Sequence, residues 1–287
     1  MSSGHLGGLI QPTERNFVSL VSFWASLREV KRNMLNKIKS ASGGKRIAIG
    51  MVCLLFLALA FPVVGKEQLR KPANIPPVLE KITFVHYAKG ENSAKPATDD
   101  SDRFKLLYGG IRWTDMMTYE VNLAGSGFSQ TEKGQAMIAL SASLETWDDA
   151  IAEAGTPPFE LFASIGTTNK NSVKYDNVNL VMWDDLSSGI IAMNSFWFSR
   201  GTKEIVESDV VFSSNFDWSL DCGDEDCVAK MDLQNIATHE FGHNGLGDLY
   251  SPPTTALTMY GRSGFGDTEK RDLGTGDING IQALYGP

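Results

Sequence analysis

The chain has 287 residues, enough for one or two domains, and its 42% hydrophobic and 10% aromatic content excludes a disordered polymer. Its net charge of −8 is unevenly spread: residues 1–46 hold eight Lys and Arg against Glu14 and Glu29, so the remainder is more acidic than the total. A body of that sign repels phosphate backbones, which excludes nucleic acid as a partner class.

Residues 1–46 read as a basic tail, and the stretch 17–39 mixes apolar and basic side chains at partly helical spacing that suits a membrane surface. From 47 to 65 run 19 consecutive uncharged residues, apolar all round, with Lys45 and Arg46 on the side expected to stay in the cytoplasm. This segment is expected to be either a signal peptide, with Ala58-Leu59-Ala60 as its cleavage site, or a transmembrane anchor. Both readings place everything after about Lys66 outside the cell, membrane-anchored or secreted. Residues 66–103 carry Pro72, Pro76, Pro77 and Pro96 and read as a linker or pro-region, interrupted by one strand-like run at 82–87.

The globular domain is expected over 104–287. A strand is predicted at 117–123, then a long amphipathic helix at 135–154 with Met137, Ile138, Leu140, Leu144, Trp147 and Ile151 at helical spacing. Strands follow at 160–165, 179–183, 190–197 and 204–212. A second helix starts after Lys230 with Asp232 as its N-cap and runs through His243, where Gly245 and Gly247 stop it; a third covers 276–284. Strands combined with a long helix and a motif-bearing helix give an α+β or mixed α/β domain. Cys222 and Cys227 bracket a short acidic loop and are expected to pair in an oxidising compartment; a C-x₄-C metal pair lacks a second cysteine pair to complete it.

The chemistry is concentrated in His239-Glu240-Phe241-Gly242-His243. Histidines four apart on a helix project from one face, one turn above the other, so both imidazoles can reach one zinc ion. Glu240 lies to the side of that pair and suits a general base that takes a proton from water and passes it to a leaving amine. A catalytic zinc needs a third protein ligand. The other two histidines, His5 and His86, fall in the tail and the linker, which leaves a carboxylate. Asp248, just past the glycine turn, is the natural candidate; Asp267, Glu269, Asp272 and Asp277 are the other carboxylates downstream.

The run ATHEFGHNGLGDLY at 237–250, the LTMYG at 257–261 and the GDINGIQALYG at 276–286 together resemble the matrixin branch of the metzincins. The resemblance is strong over 231–287 and weaker back to about Phe104. It implies a twisted mixed sheet, a long helix, a zinc-binding helix, a Met-turn at Met259 and a C-terminal helix. It also implies that Tyr260 lines the substrate pocket. The chain departs from the family pattern in three ways. Asp248 falls five residues after His243 where the family's last ligand falls six after. There are too few histidines for the additional structural zinc of many matrixins. No cysteine outside the apolar segment precedes the domain, so a thiolate cannot hold the zinc latent. A calcium ion is compatible with the chain, but nothing in the sequence supports one.

These features point to an exported zinc endopeptidase acting on peptide or protein substrates, with a peptide lying along an edge strand near 190–197. The alternative is a non-catalytic surface or adhesion module that keeps the metzincin fold. The sequence sets no oligomeric state.

Overall fold

The computed structural model describes residues 78–90, 101–152, 161–222 and 227–286, all within the compact unit Arg70–Pro287. The basic tail, the apolar run 47–65 and the acidic loop between the two cysteines lie outside the described residues. The body is built on one seven-stranded sheet of order β3-β2-β4-β6-β5-β1-β9. Strands β2 (Met117–Asn122), β3 (Phe162–Thr167), β4 (Asn179–Asp184) and β6 (Glu204–Ser213) run parallel. β5 (Ile190–Ser199) returns antiparallel to β6, β1 (Leu79–Ala88) lies antiparallel on β5, and the short β9 (Arg262–Ser263) lies parallel to β1. A small parallel pair, β7 (Trp218–Ser219) and β8 (Met231–Asp232), leads into the motif helix.

Among the described residues, three α-helices complete the α+β domain: α1 (Gln130–Ala152), α2 (Leu233–Gly242) and α3 (Thr275–Tyr285). α1 crosses between the adjacent parallel strands β2 and β3, as a parallel connection requires. It begins five residues before the apolar periodicity suggests, because its first turn is set by a capping box rather than by burial. The Ser129 amide donates to Glu132 Oε2 at 2.7 Å and the Glu132 amide donates back to Ser129 Oγ at 3.4 Å. α2 starts where Asp232 caps it, its side chain accepting from the Asn235 amide at 2.8 Å, and ends one residue early with His243 as C-cap.

The core lies between the sheet and these helices. Trp147 of α1 is fully buried and donates its indole N–H to the Thr238 carbonyl of α2 at 2.8 Å; truncating such a residue to Ala costs about 3–5 kcal/mol. A Cβ at Gly242 would collide with the Met259 sulfur and with the Trp147 ring, so α2 can approach both only because a glycine stands there.

Two expectations change. The strand-like run expected within a linker is an internal strand, β1, pairing along its length with β5 from Leu79↔Ser199 to Tyr87↔Ile190. β5, expected at the edge above the cleft, therefore has neighbours on both sides. The reason is nonlocal: strand pairing across more than 100 residues leaves no mark in the local composition of either partner.

Candidate metal centre

α2 brings His239, Glu240 and His243 together, with imidazole centroids 4.9 Å apart and nearly perpendicular. Each ring is held through Nδ1 by a backbone carbonyl: His239 donates to Thr258 O at 2.7 Å, and His243 donates to Leu246 O at 3.0 Å. Those bonds fix the tautomer and leave both Nε2 lone pairs facing inward.

The chain then turns back sharply. The Leu246 amide donates to Gly242 O at 3.1 Å, and Gly245 adopts φ 145° against Leu284 and the Ile111 carbonyl, where a Cβ would clash. Gly247 N donates to Lys105 O and Leu107 N to Gly245 O, so the turn is zipped to residues 105–107. Asn244 is locked from both sides: its Oδ1 accepts from the Trp113 indole at 2.9 Å and its carbonyl from the Tyr285 hydroxyl at 2.8 Å. This turn accommodates the one-residue deficit and brings Asp248 back under the histidines.

Asp248 Oδ1 stands 3.2 Å from His239 Nε2 and 3.7 Å from His243 Nε2, and the three donor atoms lie within 4.8 Å of one another. Two ligand atoms each about 2.1 Å from a tetrahedral ion stand about 3.4 Å apart, so the observed separations bracket the value for zinc. Among the described residues, His239 Nε2, His243 Nε2, Asp248 Oδ1 and Glu240 Oε2 are buried without a hydrogen-bond partner. Buried polar atoms left open in one cluster are the mark of a missing ligand. Burial, with the nearby Lys270 ammonium, pulls His239 down to about 3, and burial lowers His243 as well. Burial alone would raise Asp248, but His243 and His239 beside it outweigh that and hold its carboxyl below the usual range. Two neutral imidazoles and one carboxylate form the donor set that a divalent zinc takes. Asp267, Glu269, Asp272 and Asp277 are not in this cluster.

Asp277 has a different task. Buried at the start of α3, it accepts from the Thr258 amide at 2.7 Å, the Met259 amide at 3.1 Å and the Gly274 amide at 3.0 Å. It thereby pins the turn whose Thr258 carbonyl orients His239. Met259 is buried in that turn, beneath α2 at Gly242. Tyr260, next along, is half-buried, with the Lys270 ammonium 5.9 Å from its ring centre. Cys222 and Cys227 are disulfide-bonded.

Four groups at the site escaped the sequence reading. Tyr250 donates its hydroxyl to Asp248 Oδ2 at 3.1 Å, the oxygen that does not face the histidines. Asn194 of β5 donates to the Glu240 carbonyl at 2.7 Å. Lys270 is buried beside His239 and pushed down to about 7 by that burial. His86, expected in a linker far from the motif, lies on β1 with Nδ1 3.0 Å from Glu240 Oε1 and its ring 4.0 Å from that of His239. Burial lowers His86 and raises Glu240. The alternation of Ile82, Phe84 and His86 on one face of the strand-like run was the available signal for His86. Tyr250 sits inside the quoted motif. Asn194 and Lys270 carry no local signal.

The matrixin family model matches residues 170–286, from the approach to β4 through α3. The chain is 29% identical to human neutrophil collagenase over 190 residues, covering 65% of this chain and 36% of that protein. It is 27% identical to horse interstitial collagenase over 237 residues, covering 77% of this chain and 46% of that protein. The chain thus spans less than half the length of these relatives. The family match lies over the motif helix, the methionine turn and the C-terminal helix, so over residues 170–286 the chain is similar to the matrixins.

Proposed function

We propose that this chain is an exported zinc endopeptidase in which His239, His243 and Asp248 hold one zinc ion and Glu240 is the general base. The observation that carries the reading is the cluster of buried, unpartnered donor atoms on these four residues. A zinc ion bound there would polarise the scissile carbonyl and make water a better nucleophile. Glu240, raised by burial and by the Asp248 charge, accepts the proton of the attacking water as its oxygen bonds to the carbonyl carbon. It then delivers that proton to the leaving nitrogen as the C–N bond breaks. Tyr260 lines the pocket for the substrate side chain beside the metal, and the apolar run 47–65 exports the domain as signal peptide or anchor.

The full chain should bind one zinc per molecule, and Glu240→Gln should bind it equally. His243→Ala should lose the ion on dialysis. Peptide hydrolysis by Glu240→Gln should fall about 10²–10⁴-fold below wild type. A wild-type chain that binds no zinc overturns the reading. Full zinc occupancy without hydrolysis in any form leaves the non-catalytic module with this fold.

A further inference from the structure

We propose that the pocket beside the metal centre, floored by Lys270 and Asn235, takes an acidic substrate side chain, so that this chain cuts next to an aspartate or a glutamate. The inference rests on the peptidase reading above and names the substrate class of that same site. Lys270 lies in the short 3₁₀ turn Glu269–Arg271 and is 4% exposed. Its backbone amide donates to Asn235 Oδ1 at 2.7 Å. Asn235 stands four residues before His239 on α2, on the same helix face. Turn and helix thus meet at His239, next to Tyr260.

This wall offers hydrogen-bond donors that lack acceptors. The Lys270 ammonium carries three N–H groups, and one of them meets the Tyr260 carbonyl. His239 Nδ1 lies 3.4 Å away, but its proton already goes to the Thr258 carbonyl, so it cannot accept from the ammonium. Asn235 Nδ2 is buried with no hydrogen-bond partner. Among the described residues, no ion pair includes Lys270. The cations around it are paired: Arg271 Nε donates to Asp232 at 2.9 Å, and Lys89 meets Asp267 at 2.5 Å. A buried ammonium without a carboxylate is costly to hold.

The acids of the centre are engaged elsewhere, Asp277 on three backbone amides and Asp248 between Tyr250 and the histidines. The matching guest is therefore a carboxylate brought by the substrate. It accepts only, through two oxygens, and can take bonds from the lysine and the asparagine together. Such charge-assisted bonds are about twice as strong as neutral ones. An aliphatic side chain would leave the same donors buried and open, which disfavours it. The lysine stem is flexible and Tyr260 is half-buried, so the ammonium can turn towards a side chain arriving past that ring.

The test uses the full chain in detergent with zinc. A peptide library is digested and its cut sites are read by mass spectrometry. Hydrolysis and binding of three otherwise identical peptides, with Glu, Gln or Leu at the centre, are then compared, binding by fluorescence anisotropy. Asp or Glu should be enriched at one of the two positions flanking the cut. The Glu peptide should lead the Leu peptide about 10–100-fold in kcat/KM and in affinity, the usual worth of a hydrogen bond to a charged group. Lys270→Met keeps the stem, removes the donors and should lose that lead while retaining zinc. Asn235→Asp keeps the oxygen that holds the Lys270 amide and puts a carboxylate where the open amide stood. It should lose the lead with an unchanged circular dichroism spectrum. A wild type that favours Leu overturns the inference, and so does an acid preference that survives in Lys270→Met. Equal use of the Glu and Gln peptides overturns it too, since the pocket would then serve any oxygen acceptor. If the Glu peptide binds best through Lys270 yet no form hydrolyses, the acid pocket stands and the peptidase reading falls.

Discussion

Tyr250 follows Asp248 by two residues and bonds the carboxylate oxygen that faces away from the histidines. The contact does for Asp248 what the Thr258 and Leu246 carbonyls do for the two imidazoles: it fixes which atom points inward. Tyr250→Phe removes one hydroxyl and nothing else, and a Cβ at Gly261 would already press on the Tyr250 ring, so the ring stays in place. We expect zinc affinity to drop about 10–100-fold, the usual cost of losing an outer-shell partner. Competition against a chromophoric chelator measures it. An unchanged dissociation constant would mean that Asp248 orients itself without help. Asp248 could be proposed from the motif alone because elimination left few donors, whereas Tyr250 stood beside it unread, since a tyrosine in a sequence declares no hydrogen-bond partner.

At the scale of elements, β6 carries two buried acids, Glu207 and Asp209, whose carboxylates hold the loop before β4. Glu207 accepts from the Asp176 amide at 2.8 Å, and Asp209 accepts from the Lys174 amide at 3.1 Å and the Leu180 amide at 3.0 Å. Burial, then the Glu207 charge, pushes Asp209 up to about 7. A carboxyl raised in the folded state binds protons there that the unfolded chain has released. The stability it contributes is complete below about pH 4 and is lost as pH rises through about 7. Asp209→Asn cannot titrate, so the Tm of wild type minus that of the variant should shrink between about pH 4 and 7. Parallel Tm profiles in the two proteins would remove Asp209 as the titrating group. The strands and helices themselves were readable as period-2 and period-3.6 patterns, with boundaries that moved where capping rather than burial set them. The partner order of the strands was not, because β1, β5 and β9 meet across long stretches of chain.

For the whole molecule, the apolar run 47–65 separates a basic tail from an acidic domain. If Lys45 and Arg46 stay in the cytoplasm, the domain would be delivered outside. Full-length protein is expected either in the membrane fraction or as a secreted form beginning between about Ala60 and Lys66. N-terminal sequencing of the mature species separates the two, and an intact soluble cytoplasmic chain contradicts both. The disulfide between Cys222 and Cys227 fits an oxidising destination.

The sequence by itself determined the H-E-x-x-H spacing, the family resemblance and the α+β class, because each rests on spacing along one helix or on local periodicity. Histidines four apart share a face in any α-helix, whatever surrounds it. The tertiary structure decided what covers that face. It turned the chain through Gly245 to bring Asp248 within 3.2 Å of His239 Nε2. It assigned Asp277 to the methionine turn and carried His86 from a proline-rich approach segment onto Glu240. These contacts join residues from nine to more than a hundred and fifty positions apart. Their closure depends on the packing of the whole sheet and not on any local preference that a sequence displays.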